Sequence, residues 1–396
     1  MLLEYIHTDN SKEIIPLNNS YIKSEEWIIL QAKNKLEFIQ KFIPAFNAGQ
    51  KIILFDTKHK QLLEYTKNTD MNTLSGIHKV HSTCQLLFFT SGSTGFPVGA
   101  FKTQENMQQE VTVLKSILSQ KNFKKVIVTV PFVHIYGVLA GLLLPLAIDD
   151  ITLVIKEDFL PYEILNESKS GNTLIITTPV FIKALAKLNE SPNLSTNLFV
   201  CSTGPLAPEN VELFQTKYTS NLIQIFGSTE TGGIAYKIGN TPNWVPLPHV
   251  KIHETHDKLC IYSPFISPYI VRKEIISLKQ PFQTEDIVTI KDTTFKLIGR
   301  SNKLIKIAGK RISALHIEKI LEDIDEVNGA IVTLVYKSKL LKSEHIIITL
   351  ETKRKITRKM ITRKITEYFG VLSIPFQVNY VEKINYSALG KKTIHF

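Results

Sequence analysis

Six small residues near position 90 have the composition of a phosphate-binding loop. They follow the apolar residues 86–89 and are Thr90, Ser91, Gly92, Ser93, Thr94 and Gly95. Without bulky side chains, backbone N–H groups and hydroxyls can approach a phosphate closely. A strand-like run before the loop and a helical pattern after it favour a nucleotide loop over a flexible Ser/Gly connector. The Walker pattern is excluded, because Val98 and Gly99 stand where it needs a lysine and a hydroxyl.

Six further segments that carry polar or glycine-rich chemistry follow in order along the chain. They are PFVHIYG at 131–137, CSTGPL at 201–206, FGSTETGG at 226–233, TEDIV at 284–288, GRSNKLIKIAGKRISALHIE at 299–318 and NYSALGKK at 385–392. With the loop at 90–95, this ordered series resembles the adenylate-forming superfamily, which includes acyl-CoA synthetases, aryl-CoA ligases and carrier-protein ligases. The resemblance covers the chain from about residue 80 onward.

The resemblance implies a two-step reaction with ATP and Mg²⁺ as cofactors. An aryl or fatty carboxylic acid would attack ATP to give an acyl adenylate and pyrophosphate. The acyl group would then pass to a phosphopantetheine thiol, on an acyl carrier protein or on coenzyme A. Because negative charge gathers on the α-phosphate oxygens in the first step, the protein must supply positioning and cationic stabilisation.

The resemblance assigns the nucleotide contacts of the larger part of the chain to two segments. Residues 90–95 would hold the β- and γ-phosphates. Phe226 would pack on adenine, Thr229 would bind the α-phosphate, and Glu230 would hold Mg²⁺, for which a carboxylate oxygen is a suitable ligand. A helix-capping or first-turn acid is the alternative for Glu230. Gly204 and Gly227 are expected beside Thr90, at the carboxyl ends of strands, where open α/β sheets bind ligands.

A second group of predicted site residues lies later in the chain. Asp286 and Arg300 resemble the pair that binds the ribose hydroxyls, next to an interdomain hinge at Asn302. Lys391 resembles the mobile catalytic lysine, because the family's lysine directly follows a glycine, but Lys392 is adjacent and leaves the register open. Taken alone, such residues are more often surface ion-pair partners or an ordinary tail lysine.

The acyl pocket is expected around His134 and Gly232. Relatives in the superfamily place an aromatic residue or a histidine at the position of His134. A histidine between apolar residues is otherwise commonly a satisfied core residue, so both interpretations of His134 stay open.

Two departures from the family pattern bear on catalysis. The family's loop usually has a lysine after its proline, whereas this chain has Val98, and Lys102 is the nearest cation. The region before the loop is also shorter than in most relatives. A second hypothesis is therefore a catalytically impaired nucleotide-binding protein of the same fold. Retention of the predicted metal ligand, ribose pair and catalytic lysine argues against it.

Alternating strands and helices must position these residues. Apolar runs at 125–131, 151–157, 173–179, 197–203 and 222–228 alternate with helical patterns, including 103–121, 179–189 and 208–218. This order predicts an α/β fold, with a large N-terminal domain whose parallel sheets are covered by helices on both faces. A helix at 314–325, a strand hairpin and a basic helix at 357–369 predict a small α+β C-terminal domain. The resemblance implies that this domain is mobile and carries the catalytic lysine, with boundaries of 1–300 and 303–396.

Composition and charge narrow the class of protein further. The chain has 396 residues, of which 43% are hydrophobic, and three widely spaced cysteines, so a reducing, cytoplasmic location is expected. The first residues lack an export-signal pattern, and the longest apolar stretch has eleven residues, whereas a spanning helix needs about twenty. We therefore expect no membrane span.

The positive charge is concentrated in the last quarter of the chain. The net charge is +11, and residues 301–396 contain 18 Lys and Arg against nine Asp and Glu. This part would be either a solvated surface or a docking face for an acidic carrier protein or for the phosphates of coenzyme A. No nucleic-acid-binding motif is recognisable, so a nucleic-acid partner is not expected.

Overall fold

The structure is a computed structural model that describes residues 1–17, 20–56, 64, 77, 80, 82–90, 98–118, 122–272, 274–300, 304–307, 310–336, 344–369, 376–386 and 392–393. No helix within these ranges combines the length and the apolar character needed to cross a membrane. The chain divides into two compact units. The first contains Met1–Ile252 and Ile261–Phe282, and the second contains His253–Cys260 and Gln283–Phe396. The sequence-based boundary near residue 300 stays a prediction.

Strands and helices alternate between residues 98 and 228, whereas the described residues from 232 to 313 contain strands and no helix. In chain order, the strands are β1 (Leu2–Ile6), β2 (Lys12–Ile15), β3 (Ile28–Ile29), β4 (Ile52–Leu54), β5 (Cys84–Thr90), β6 (Val98–Thr103), β7 (Lys125–Val128), β8 (Thr152–Ile155), β9 (Thr173–Thr177), β10 (Leu198–Cys201), β11 (Asn221–Ser228), β12 (Gly232–Ile238), β13 (Val245–Pro246), β14 (Lys251–Thr255), β15 (Lys258–Tyr262), β16 (Tyr269–Val271), β17 (Ile275–Ser277), β18 (Phe282–Lys291), β19 (Thr294–Arg300), β20 (Leu304–Ile307), β21 (Lys310–Ser313), β22 (Gly329–Tyr336), β23 (Glu344–Glu351), β24 (Phe376–Val381), β25 (Asn385–Tyr386) and β26 (Lys392–Thr393). The helices are α1 (Lys35–Asn47), α2 (Gln104–Leu118), α3 (Ile135–Val138), α4 (Leu144–Leu146), α5 (Pro161–Ser168), α6 (Pro179–Ala186), α7 (Pro208–Tyr218), α8 (Ala314–Glu322) and α9 (Arg358–Phe369). A π-helical turn, Leu139–Leu143, joins α3 to α4.

A nine-stranded sheet forms the centre of the first unit. Its strand order is β13-β12-β11-β10-β9-β7-β8-β1-β2. The strands from β11 to β1 in this order run parallel, whereas β12 and β2 pair antiparallel on either side. The five apolar runs identified in the sequence are β7 to β11, so the α/β prediction is confirmed.

Alternate residues of the central strands enter different hydrophobic cores. Val126 and Val128 of β7 pack in a cluster that includes Phe42 of α1. Ile127 lies in the opposite cluster, which includes Phe214 of α7. Because strand side chains alternate between the two faces, this parallel sheet is covered on both sides. Removing a fully buried ring, as in Phe214→Ala, would cost about 3–5 kcal/mol of stability.

The predicted phosphate loop does not join a strand to a helix. It follows β5 and precedes β6, and these two strands pair antiparallel with Thr90 opposite Val98. Strand β6 also pairs with β16 in a six-stranded sheet of order β17-β16-β6-β5-β4-β3. Gly99 permits this packing, since a Cβ there would lie 2.6 Å from Val271 Cγ1. Thr90 therefore belongs to a different sheet from the strands that precede Gly204 and contain Gly227, which corrects the expectation of one shared sheet edge.

Helix α2 has the apolar face that the sequence predicts. The buried residues of this face include Met107, Val111, Leu114 and Leu118. Thr103 and Asn106 cap the first turn reciprocally: Asn106 N–H donates to Thr103 Oγ1 over 2.9 Å, and Thr103 N–H donates to Asn106 Oδ1 over 3.1 Å. These two bonds satisfy backbone groups that have no partner inside the helix, so the helix begins directly after β6.

The second unit contains the predicted α+β elements. Strands β22 and β23 form the expected antiparallel hairpin, and β24 pairs parallel to β23. Ile317 of α8 and Ile361 of α9 share a hydrophobic core with Ile348 of β23. Helix α8 ends at Glu322, three residues earlier than the sequence pattern suggested.

Candidate active site

Three predicted site segments lie at the same edge of the nine-stranded sheet. Residues 131–137 follow β7, Gly204 follows β10, and the turn after β11 carries Thr229 and Glu230. Strands β7, β9, β10 and β11 are neighbours and run parallel, so their carboxyl ends meet at one edge. With neighbouring strands about 4.8 Å apart, this edge is about 14 Å wide from β7 to β11. Open α/β sheets bind ligands outside such an edge.

The turn of residues 229–231, which joins β11 to β12 and is called the 229–231 turn below, is braced from within. Ser228 N–H donates to Thr231 Oγ1 over 3.0 Å, and Thr231 N–H donates to Ser228 Oγ over 3.2 Å. Thr229 and Glu230 lie between these two residues and are half-buried. A fixed backbone therefore carries two polar side chains that are still accessible to a ligand.

Strand β11 changes register just before this turn. A β-bulge lies between Phe226 and Gly227, and bulges commonly redirect side chains next to functional sites. Gly227 is exposed, but a Cβ on it would lie 2.2 Å from the carbonyl oxygen of Gly232. Gly232 is buried and has a φ of +68°, a backbone conformation that favours glycine. Both predicted glycines are therefore required by the shape of the main chain.

Phe226 is half-buried beside a second aromatic side chain that sequence reasoning did not single out. Its ring centroid lies 5.4 Å from that of Trp244, with the two planes inclined at 46°. Lys237 Nζ lies 4.9 Å from the centroid of the Trp244 ring. A planar ring with an aromatic neighbour can pack against an adenine base, as predicted for Phe226.

Lys102 is directed toward main-chain carbonyl groups. Its Nζ donates to the carbonyl oxygen of Phe265 over 2.5 Å and to that of Glu230 over 3.3 Å. The side chain has 0% exposure, and burial lowers the pKa of Lys102 below its usual value. A phosphate contact by Lys102 would require its ammonium group to leave both carbonyl oxygens.

Glu110 is a site residue that sequence reasoning missed. It lies on α2, and its Oε1 accepts a hydrogen bond from Gly233 N–H over 2.7 Å. Glu110 is buried, and this burial raises the pKa of its carboxyl group above the usual value. A signal was present in the sequence, because Glu110 occupies a position on the apolar face of the predicted helix, three residues after Met107.

His134 lies at the start of α3 and is half-buried. Two residues later, the Tyr136 hydroxyl donates to the carbonyl oxygen of Val200 over 2.8 Å, which links this segment to β10. Gly137 packs tightly, since a Cβ there would lie 2.1 Å from the carbonyl oxygen of Pro131. The segment is thus fixed at the same sheet edge as Gly204, where a pocket for an acyl group was expected.

The two residues predicted to bind the ribose face each other in the second unit. Asp286 of β18 lies opposite Arg300 of β19 in the antiparallel register. Arg300 Nε lies 3.3 Å from Asp286 Oδ1, and the side chains are 45% and 11% exposed, respectively. The two residues are therefore cross-strand ion-pair partners, and the arginine remains accessible.

Several predicted residues lie outside the described part of the chain: Ser91, Gly92, Ser93, Thr94, Gly95, Asn302 and Lys391. For Thr90, only the backbone is described. The neighbouring Lys392 has several partners. Its Nζ forms ion pairs with Glu322 and, over 3.6 Å, with Glu318, and it donates to the carbonyl oxygen of Ala330 over 2.8 Å.

The side chains at the sheet edge can be compared with the ligands that a magnesium ion requires. Among the described residues, no group of three or more His, Cys, Asp or Glu side chains could hold a metal ion. Glu230 instead offers one accessible carboxylate. Magnesium commonly binds through one or two protein carboxylates while substrate phosphates and water complete its shell. The residues present therefore fit a magnesium ion that is bound together with a nucleotide.

Solved structures of similar fold include two nucleotide complexes. ATP-bound MatB from Rhodopseudomonas palustris aligns with a TM-score of 0.76 and 14% identity, over 99% of this chain and 94% of MatB. O-succinylbenzoate coenzyme A synthetase (MenE) from Bacillus subtilis, in complex with ATP and a magnesium ion, has a TM-score of 0.76 and 18% identity, over 93% and 88% of the two chains. At these identities, the comparison establishes the fold alone.

Sequence comparison gives the family. VraA of Staphylococcus aureus, named as a candidate long-chain fatty acid–CoA ligase, is 25% identical over 324 residues, covering 76% of this chain and 68% of VraA. The 4-coumarate–CoA ligase of Halorhodospira halophila is 27% identical over 267 residues, covering 67% and 63% of the two chains. The model of the AMP-binding enzyme family matches residues 28–260, more than half of the chain. The chain therefore belongs to the family of AMP-binding enzymes.

Proposed function

We propose that this protein is an AMP-forming acid–thiol ligase. It activates a carboxylic acid with ATP as an acyl adenylate and transfers the acyl group to a phosphopantetheine thiol. The observation that carries this proposal is the 229–231 turn, where half-buried Thr229 and Glu230 lie at the carboxyl edge of a parallel sheet beside exposed Gly204 and Gly227. Membership of the AMP-binding enzyme family supports it.

The residues at the sheet edge and those of the 90–95 loop each have a distinct task in the first step. Phe226 packs on the adenine base, and Thr229 donates to an α-phosphate oxygen. Glu230 would hold Mg²⁺. A magnesium ion bound with ATP would partly neutralise the charge of the phosphates and make the α-phosphorus more electrophilic. Thr90, Ser91, Gly92, Ser93, Thr94 and Gly95 hold the β- and γ-phosphates. Groups fixed in advance around the developing charge lower the barrier, because they need no reorganisation during the reaction.

Further residues proposed for the reaction belong to the second unit. Asp286 accepts from the ribose hydroxyls and Arg300 donates to them, so a ribose would exchange part of their mutual ion pair for hydrogen bonds. Lys391 stabilises the charge between the α-phosphate and the attacking carboxylate. The proposed division places the adenylation domain at 1–300 and a mobile C-terminal domain at 303–396, with the hinge at Asn302.

The substrate acid is proposed to be aryl or fatty, with His134 and Gly232 at the acyl pocket. The names of two relatives support these two classes of acid. VraA is named for long-chain fatty acids, and the Halorhodospira halophila enzyme is named for 4-coumarate. The acceptor thiol belongs to an acyl carrier protein or to coenzyme A. A relative from Bacillus anthracis, 21% identical over 276 residues, covering 68% of this chain and 63% of the relative, is named for an aryl-carrier protein.

A cytoplasmic location is proposed from the cysteines. Cys84, Cys201 and Cys260 are free and buried, and burial raises the pKa of the Cys84 thiol to about 12. The Cys84 thiol therefore stays protonated and unreactive, as suits a protein in a reducing compartment.

The proposal is tested by product analysis over a panel of aryl and straight-chain acids. With Mg-ATP and its cognate acid, the protein should release pyrophosphate and AMP, and hydroxylamine should trap the activated acyl group as a hydroxamate. An assay without acid controls for ATP hydrolysis. Stoichiometric ADP and phosphate would contradict the proposed chemistry.

A second candidate function is nucleotide binding without catalysis, and Val98 is the observation that favours it. Its side chain is buried, at the position where the family's loop usually has a lysine. An impaired protein would bind Mg-ATP but would show no acid-dependent exchange of pyrophosphate into ATP. The exchange assay therefore separates the two candidates.

A further inference from the structure

Lys102 and Glu110 are buried charged residues that the proposed chemistry does not use. Their exposed fractions are 0% and 4%. Removing an ion from water costs several kcal/mol unless nearby groups compensate it. The two opposite charges attract each other, and each also binds the main chain near the 229–231 turn.

Lys102 fixes the carbonyl side of this turn. Besides Lys102 Nζ, the carbonyl oxygen of Glu230 accepts Ser267 N–H over 2.8 Å. The second acceptor of Lys102, the carbonyl of Phe265, lies in the same segment as Ser267. The side-chain amide of Asn106 donates to the neighbouring carbonyl of Pro264 over 2.5 Å. The turn, the 264–267 segment and the start of α2 are therefore bonded together.

Glu110 holds the main chain directly after this turn, at the start of β12. It lies one helical turn after Asn106, and its carboxylate accepts Gly233 N–H over 2.7 Å. A Cβ on Gly232 would lie 2.5 Å from Glu110 Oε2, and one on Gly233 would lie 3.1 Å from Oε1. Glycines at both positions thus allow the backbone to lie directly against the carboxylate.

We propose that Lys102 and Glu110 are positioning residues, which hold the main chain within the 229–231 turn and directly after it so that the Glu230 carboxylate meets magnesium. This inference rests on the proposed function, in which Glu230 is the metal ligand. A ligand must be held to within about 0.5 Å of its productive position. Two side chains that start from adjacent elements, β6 and α2, supply that constraint.

The test compares Lys102→Met and Glu110→Gln with the wild-type enzyme. Both variants should raise the Mg²⁺ concentration for half-maximal pyrophosphate release and lower kcat by about 10- to 100-fold, the usual effect of losing a group that orients a metal ligand. The Mg²⁺ dependence is the deciding measurement, because Gly232 of the proposed acyl pocket lies against Glu110 and the KM for the acid can change with it. The conservative variants Lys102→Arg and Glu110→Asp should recover part of the loss.

Matched controls separate positioning from general stability. Glu105→Gln changes an exposed acid on the same helix, and Lys115→Met changes an exposed lysine there, so neither should alter the Mg²⁺ dependence. The double variant Lys102→Met/Glu110→Gln should lose less thermal stability than the two single variants lose together. The reason is that no unpaired buried charge remains in the double variant. Should a single variant fail to fold, the conservative variants carry the comparison.

The inference is overturned if folded variants lose thermal stability but keep the wild-type Mg²⁺ dependence and kcat. That result would make the pair a packing feature. If the wild-type protein activates no acid, the proposed function fails. The affinity of wild type and variants for Mg-ATP, measured by titration, still tests whether the two residues position Glu230. Equal Mg-ATP binding by all of them would then reject the inference independently.

Discussion

Lys392 has the surroundings of a structural cation. Its ammonium group is held by two carboxylates of α8 and by the carbonyl oxygen of Ala330. Glu318, one of the two acids, also accepts Val332 N–H over 2.9 Å and is buried. A lysine held in this way would lose three interactions on moving to a phosphate. These contacts favour the adjacent Lys391 as the proposed catalytic lysine.

Lys391→Ala is expected to slow adenylate formation by about 100- to 1,000-fold, the usual effect of removing one preorganised donor to transition-state charge. Binding of ATP should weaken much less, and thiol transfer from preformed adenylate should largely survive. Single-turnover measurements of adenylate formation and of thiol transfer determine the two rates separately.

Lys392→Met is the matched comparison for this prediction. Its main effect should be a loss of about 1–3 kcal/mol of stability, because the buried acceptors lose their donor. A loss of adenylation by Lys392→Met as large as that by Lys391→Ala, without a loss of stability, would assign the catalytic role to Lys392 instead.

At the scale of elements, the parallel strands could be predicted and several antiparallel ones could not. Strands β7 to β11 are buried on both faces, so each is a continuous apolar run that the sequence displays directly. Strand β6 exists because it pairs with β5 and with the distant β16. No local pattern in VGAFKT specifies those partners, so the strand between the loop and the helix was not predicted.

The same contrast holds for the candidate site. The position of Thr229 and Glu230 at the end of a strand could be predicted, because the apolar run 222–228 precedes them. Their roles rest on the family resemblance and stay predictions. Glu110 could not, because its meaning depends on Gly233 N–H, which only the fold brings to α2. Lys102 was noticed as a cation, but its direction toward two carbonyl oxygens follows from the tertiary structure.

Gly227→Ala tests whether the main chain of β11 shapes the nucleotide site. The added Cβ would lie 2.2 Å from the carbonyl oxygen of Gly232, so the 229–231 turn must shift. We expect about a 100-fold loss of kcat/KM for Mg-ATP, since a displacement of about 1 Å has an effect of that order. Gly204→Ala should lose far less, because its Cβ would meet only Pro179 Cγ at 3.8 Å. Equal losses in the two variants would reject the role given to Gly227.

At the scale of the whole molecule, the residues proposed for the reaction are distributed over both compact units. Glu230 and its supporting residues belong to the first unit, whereas Asp286 and Arg300 belong to the second. The second unit also contains residues 301–396, which carry +9 of the net charge of +11. Its exposed cations around α9 are Lys353, Arg354, Lys355, Arg358, Lys359 and Arg363. Such a surface attracts an acidic partner during diffusion more than it strengthens the final complex.

Charge reversal on this surface should therefore slow acyl transfer to the acceptor and leave activation of the acid unchanged. In a Lys355→Glu/Lys359→Glu variant, we expect kcat/KM for transfer to an acidic holo-acyl-carrier protein to fall by about tenfold at low salt, through the association rate. Adenylate formation should stay close to wild type. The difference should shrink as ionic strength rises, because exposed charges are screened beyond about 8 Å at 0.15 M salt.

The control for this prediction is Lys124→Glu/Lys187→Glu, which reverses two exposed charges in the first unit and should leave transfer unchanged. Coenzyme A also carries phosphates, so salt dependence alone does not identify the acceptor. The deciding measurement is kcat/KM for holo-carrier protein against free coenzyme A, in wild type and in the α9 variant. If wild type prefers coenzyme A and the variant transfers to both acceptors normally, the basic surface is a solvated face and carrier docking there is wrong.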